Sequence, residues 1–216
     1  MQNGIIPRER IMSPCKFILT VLLLLAPASL SAQDTFCLRN KIKVTKGWGN
    51  AYTAIQLEHR TQECWFVRPI VGYRFTPWLK GDIAYEFRQK YSHDLKQRGI
   101  VSLTGTLKSG DMSISVRERY MMEFTKKDGT SEYGSGKSVL RSMLTAKYNI
   151  PGSIFSPYLS TEAFTWRGWE KARFSAGTQL RVGKHNVFDV FYMYTIFSSH
   201  PEVSQHTLGI CYYLSL

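Results

Sequence analysis

Leu79-Lys-Gly-Asp-Ile-Ala-Tyr-Glu-Phe-Arg-Gln-Lys90 is two patterns interleaved. The odd positions are Leu79, Gly81, Ile83, Tyr85 and Phe87, and the even positions are Lys80, Asp82, Ala84, Glu86, Arg88 and Lys90. Side chains of an extended chain alternate between faces, so this stretch makes a strand with one apolar and one charged face. The rhythm recurs in Val187–Phe197, where Phe188, Val190, Tyr192, Tyr194 and Ile196 alternate with a set containing Asp189 and Thr195. In Met112–Thr125 the apolar set Met112, Ile114, Val116, Tyr120, Met122 and Phe124 alternates with one carrying Arg117, Arg119 and Glu123. Glu118 breaks that apolar set; a local bulge, a shifted register or a place near a rim would each account for it.

Extended along the chain, the pattern predicts strands at about 35–45, 51–60, 64–75, 78–91, 95–108, 112–125, 138–149, 154–166, 171–182, 186–197 and 205–216. Most exceed the ~5–6 residues usual in soluble sheets and match the ~9–11 of a tilted membrane strand. The connections also alternate, with turn-like links such as Thr76-Pro77 and Gly183–His185 on one side and longer ones such as Lys126–Lys137 on the other. Short turns at one end and longer loops at the other belong to outer-membrane barrels. Eleven strands sit badly with the even numbers of bacterial single-chain barrels. Either Thr35–Thr45 is not a barrel strand, giving ten, or one more is unread, giving twelve. Within a range of 10–12, twelve is preferred.

A soluble sandwich or a periplasmic lipocalin-like binding barrel also alternates, with its apolar face turned inward. Three features favour the all-β transmembrane antiparallel barrel. The strands are long. The polar faces carry more charge than a lipid-binding cavity would tolerate. Bulky aromatics (Trp65, Trp78, Tyr85, Trp166, Tyr192, Tyr212) fall near strand ends or on the apolar face, as interfacial girdles require.

Composition narrows the classes further. The 216 residues carry a formal charge of +12 with 13% aromatics, too aromatic for a disordered basic tail. The one near-continuous apolar run, Phe17–Ala28, is short of the ~20 residues a spanning helix needs. That run follows Arg8, Arg10 and Lys16 and leads to Pro27, Ser29, Ser31 and Ala32, so residues 1–32 are expected to be a secretory signal cleaved after Ala32. Met12 is an alternative start, and Ala28 or Ser31 are alternative cleavage positions. Loss of Arg8, Glu9, Arg10 and Lys16 lowers the formal charge from +12 to +10, leaving residues 33–216 as the barrel domain. Of the cysteines in that domain, Cys37 and Cys64 could pair in an oxidising compartment. Three separate small apolar residues, with Cys211, is the favoured reading.

The chain ends His206-Thr-Leu-Gly-Ile-Cys-Tyr-Tyr-Leu-Ser-Leu216. Thr207, Gly209, Tyr212 and Leu214 resemble the C-terminal signal read by the barrel-assembly machinery: a polar residue, a glycine, an aromatic and a hydrophobic residue at fixed spacing. Residues 115–120 (Ser-Val-Arg-Glu-Arg-Tyr), 139–150 (Val-Leu-Arg-Ser-Met-Leu-Thr-Ala-Lys-Tyr-Asn-Ile), 156–164 (Ser-Pro-Tyr-Leu-Ser-Thr-Glu-Ala-Phe) and 208–213 (Leu-Gly-Ile-Cys-Tyr-Tyr), with Arg173, Gly177 and the Phe188–Tyr194 strand, carry a wider resemblance. The chain resembles the uncharacterised outer-membrane barrel family designated domain of unknown function 2490. The resemblance implies a barrel in the outer membrane of a diderm bacterium, in contact with outer-membrane lipid and inserted by the assembly machinery. It implies no activity and no catalytic residues.

If the apolar face meets lipid, the inward face holds Glu58, Arg60, Arg68, Arg74, Lys80, Asp82, Glu86, Arg88, Arg98, Arg117, Arg119, Glu123, Arg141, Lys147, Glu162, Arg173, Arg181 and Asp189. The main lumen-lining candidates are Arg117, Arg119, Arg141, Glu162, Arg173, Arg181 and Asp189. One expectation is a lumen stapled by Arg–Glu ladders, with Glu162 between Arg141 and Arg173. The other is that surplus positive charge makes a narrow pore preferring small anionic solutes. A lipid-modifying enzyme is the rival class. It needs a nucleophile beside a base, and His59, His93, His185, His200 and His206 come with no Gly-x-Ser-x-Gly motif; no enzyme is expected. Nothing points to a cofactor or a metal. Nucleic acid is not an expected partner, because the basic residues recur at spacing two within strands and the signal directs the chain out of the cytoplasm.

Overall fold

The computed structural model describes residues 35–61, 63–91, 95–126, 133–165, 169–200 and 203–216. The expected signal segment 1–32, His93 and Trp166 lie outside the described residues. The rest forms eleven strands: β1 (Thr35–Trp48), β2 (Ala51–Arg60), β3 (Cys64–Arg74), β4 (Leu79–Lys90), β5 (Leu95–Ser109), β6 (Met112–Lys126), β7 (Tyr133–Tyr148), β8 (Phe155–Thr165), β9 (Trp169–Val182), β10 (Asn186–Phe197) and β11 (Ser204–Ser215). Each pairs with its sequence neighbours, and β1 pairs with β11 to close a barrel.

The closure corrects the preference for twelve strands and the doubt over the first. β1 runs antiparallel to β2 from Arg39↔Arg60 to Trp48↔Ala51, and parallel to β11 from Thr35↔Gln205 to Thr45↔Ser215. A parallel ladder satisfies the backbone groups of both end strands as completely as an antiparallel one, so an odd number leaves no open edge.

One end of the barrel is built from tight turns. Gly49, Gly110, Gly152 and Gly183 stand there with φ between 55° and 71°, the left-handed region that side chains disfavour. The fifth turn, at Thr76-Pro77, has no such glycine. Instead Thr76 Oγ1 accepts from the backbone N–H of Leu79 at 2.9 Å. Exposed Trp48, Tyr73, Phe75 and Trp78 ring this turn end, and Phe36, Trp65, Tyr91 and Trp169 ring the opposite, loop end. Between them the outer wall is apolar, with Ile83 67% exposed, while Glu86, three residues on in β4, is 0% exposed inside.

Glu118 keeps its outward place. The register Leu103↔Glu118↔Ser142 is unbroken, and the nearest bulge lies between Met122 and Phe124. None of the three anticipated escapes applies. Ser142 on β7 instead donates a 2.6 Å hydrogen bond to the Glu118 carboxylate, a local partner for a group that is costly among lipids. Cys37, Cys64 and Cys211 are free and buried, so Cys37 and Cys64 are not bridged.

Inside, successive register partners Ala54, Ile70, Ala84, Ile100, Met121 and Val139 form an apolar row across β2–β7. Toward the turn end, Phe191, Met193 and Cys211 pack with Tyr158 and Tyr213. Charged rows flank the apolar one.

Candidate functional site: a cationic lumen

Period-two alternation turns every second residue of each strand into the barrel, and cross-strand register then decides which charges meet. On the loop side of the apolar row, Glu86 faces Arg98 and Arg98 faces Glu123, while Arg68 Nε donates to Glu86 at 3.0 Å. The signs alternate across four strands.

Glu58, Glu86, Glu123 and Glu162 each serve two or three cations. Glu58 accepts from Arg39 Nη2 at 2.9 Å and Arg60 Nε at 2.7 Å. Glu86 holds Arg68, Arg88 (2.8 Å) and Arg98 (3.7 Å). Glu123 takes Lys96 and Arg98. Glu162 pairs with Arg141, and with Arg117 and Arg173 at 3.6 and 3.7 Å. Guanidinium forks suit this sharing because they donate in several directions from one plane.

Two inward phenylalanines hold the same arginines by their faces. Phe66 lies 4.7–5.8 Å from Arg60, Arg68 and Arg88. Phe164 lies 4.7–5.0 Å from Arg141, Lys171 and Arg173. A ring between cations restores attraction that like charges would otherwise lose.

The result is a cavity of about 250 Å³ in the loop-end half of the barrel. Its wall carries twelve cationic residues, among them Arg117, Arg119, Arg141 and Arg173, against two acidic ones, Glu123 and Glu170. Glu58, Glu86 and Glu162 sit behind their arginines and do not line it. Of the sequence-derived candidates, Arg117, Arg119, Arg141 and Arg173 come together here with Glu162 behind them. Arg181 is exposed next to the turn end of β9. Asp189 is buried toward the turn end, accepting from Tyr158 at 2.9 Å and Tyr213 at 3.5 Å. In β11, Thr207 and Gly209 are buried while Tyr212 donates to Asn186 Oδ1 at 2.6 Å.

Reading by charge alone missed Arg39 and Lys41, because β1 was doubted as a wall strand. It missed Lys171 at the start of β9, and Phe66 and Phe164 because they are apolar. Their parity with Arg68 and Glu162 would have placed both rings inward. Among the described residues no cluster of His, Cys, Asp or Glu could hold a metal.

This geometry defines a class: a closed, porin-like β-barrel. The solved NanC porin, in a rhombohedral crystal form, has a similar fold, with a TM-score of 0.58 and 15% identity over 83% of this chain and 97% of that one. The profile of the protein family of unknown function DUF2490 matches residues 38–206, and the chain belongs to that family. No curated protein matches it.

Proposed function

We propose that the barrel sits in a bacterial outer membrane, delivered by a signal cleaved after Ala32, and forms a narrow pore that prefers small anions. Two aromatic girdles around an apolar belt support the location, since aromatics settle at both lipid–water boundaries. By the same logic the turn end faces the periplasm and the loop end the exterior. The observation that carries the reading is the cavity wall, twelve cations against two carboxylates. Fixed charge of one sign between low-dielectric walls concentrates counter-ions and repels co-ions.

The test is a planar bilayer holding the purified barrel under a potassium chloride gradient. The expected reversal potential has the sign of chloride preference. A cation-preferring reversal potential, or a barrel that inserts and conducts nothing, overturns the reading.

A second reading, a lipid-modifying barrel, has one observation in its favour. On the outer face near the loop end, Ser204 Oγ lies 3.4 Å from His206 Nε2, and Tyr192 hydroxyl meets His206 Nδ1. Nucleophile beside base beside orienting group is the order acyl transfer needs. Against it, the Ser204–His206 distance is long and both residues are buried. Fatty-acid release from phospholipid vesicles, abolished by Ser204→Ala, would establish it in place of the pore.

A further inference from the structure

β6 to β9 build one inward patch of two adjacent rows. In the first row Arg117, Met143, Glu162 and Arg173 are successive register partners, and in the second Arg119, Arg141, Phe164 and Lys171 are. The patch therefore sets five cations around one carboxylate, Glu162, which pairs with three of them: Arg117, Arg141 and Arg173. Arg119 stands beside Arg141 across the β6–β7 ladder, and like charges directly opposite repel.

The hydrogen bonding inside the patch is incomplete. Among the described residues Arg119 has no carboxylate partner. Its Nε donates to Ser102 Oγ at 3.1 Å, and the outer fork lies on the cavity wall. Arg117 reaches Glu162 only at 3.6 Å, and Arg173 at 3.7 Å. The Nε atoms of both are buried without a hydrogen-bond acceptor, and Arg173 as a whole is 4% exposed. Buried donors are ordinarily satisfied. Those two Nε atoms are closed off from the cavity, but Arg117, Arg119, Arg141 and Arg173 all line it. Among the described residues Glu162 is the only carboxylate that pairs with three of them, and Arg119 has none, which leaves a place for an oxyanion from outside.

We infer that the Arg117–Arg119–Arg141–Arg173 patch is a binding site for a small multivalent oxyanion, phosphate- or carboxylate-bearing, held by Arg119 through its free fork. This rests on the proposed anion pore and narrows it from charge to chemistry. Planar guanidinium forks bind two oxygens of one group at once, which a spherical halide cannot reproduce. The cavity, at about 250 Å³, has room for phosphate or a dicarboxylate. Arg60 and Arg68 line the same cavity and add to its positive field.

The site is tested by titrating the purified barrel in detergent with inorganic phosphate, then succinate, against a constant chloride background, by calorimetry. Saturable binding of one or both is expected, weakened about tenfold or more in Arg119→Gln and several-fold in Arg119→Lys, which keeps the charge but loses the fork. Arg181→Gln, at the exposed end of β9, is expected to bind as the parent does. Heat-modifiable gel migration confirms that each variant is still a barrel; if Arg119→Gln fails to fold, Arg119→Lys carries the comparison. Absence of saturable binding in the parent, or equal weakening in the Arg119 and Arg181 variants, overturns the site. The pore reading is judged apart, by the sign of the reversal potential. A chloride-preferring pore without saturable oxyanion binding sinks the site and leaves the pore.

Discussion

Gly209 and Phe191 face each other across the β10–β11 ladder, and the Phe191 ring occupies the place a Cβ on Gly209 would take. The same residue crowds Gly177 on its other side, where an added Cβ would come within 2.6 Å of Phe191 Cβ and 2.7 Å of the Val190 carbonyl oxygen. Tyr52 lies over Gly72 in the same way. An aromatic ring folded across a glycine on the next strand covers backbone that would otherwise be bare, and it pins the register. From sequence, Gly209 is legible only as part of a C-terminal assembly signal with Thr207, Tyr212 and Leu214. Spacing within one strand says nothing about a ring arriving from another. The two roles separate experimentally. Gly209→Ala should lose about 1–3 kcal/mol through overpacking, read as a lower urea midpoint of the vesicle-inserted barrel. Adding Phe191→Leu should restore most of it. If Gly209 serves only assembly, the double variant will gain no stability, and both will reach the membrane at the same reduced level.

Strands were the most legible elements, because a half-buried strand writes its two faces into every pair of residues. The expected 51–60 and 186–197 coincide with β2 and β10, and 112–125 falls one residue short of β6. Beginning 138–149 five residues late has a local cause. The β6–β7 ladder shifts register between Met122 and Phe124, and a bulge takes alternation out of phase. What sequence could not supply was the role of β1. Its faces are clear, with Leu38 and Ile42 outward, but direction relative to β11 is a property of closure. The parallel seam makes a sharp prediction. With Cys37, Cys64 and Cys211 replaced by serine, Leu38→Cys and Leu208→Cys, which are register partners, should form a disulfide under mild oxidation. Leu38→Cys with Leu214→Cys should not, since six residues of offset lie far beyond disulfide reach. Cross-linking in the second pair instead of the first would mean a different closure.

At the scale of the whole molecule, a mean hydropathy of −0.21 and a charge of +12 look unlike a membrane protein because half of every strand faces inward. The surplus of cations was countable from the sequence; its exposure to the cavity was not. That depends on carboxylates such as Glu86 and Glu162 being enclosed by several arginines each, leaving guanidinium groups as the wall. The proposed anion pore and the proposed oxyanion site are two kinds of anion recognition, and salt separates them. Preference arising from the diffuse field of twelve wall cations must weaken as the Debye length falls from about 10 Å at 0.1 M to about 3 Å at 1 M salt. Recognition by direct guanidinium–oxygen hydrogen bonds is short-ranged and far less screened. Raising potassium chloride from 0.1 to 1 M should therefore move the reversal potential toward that of a non-selective pore. Phosphate added at the higher salt should still reduce chloride conductance in a saturable way. Loss of both together would mean that the cations act only through their summed field. An unchanged reversal potential at 1 M would mean that the preference is set by direct contact throughout.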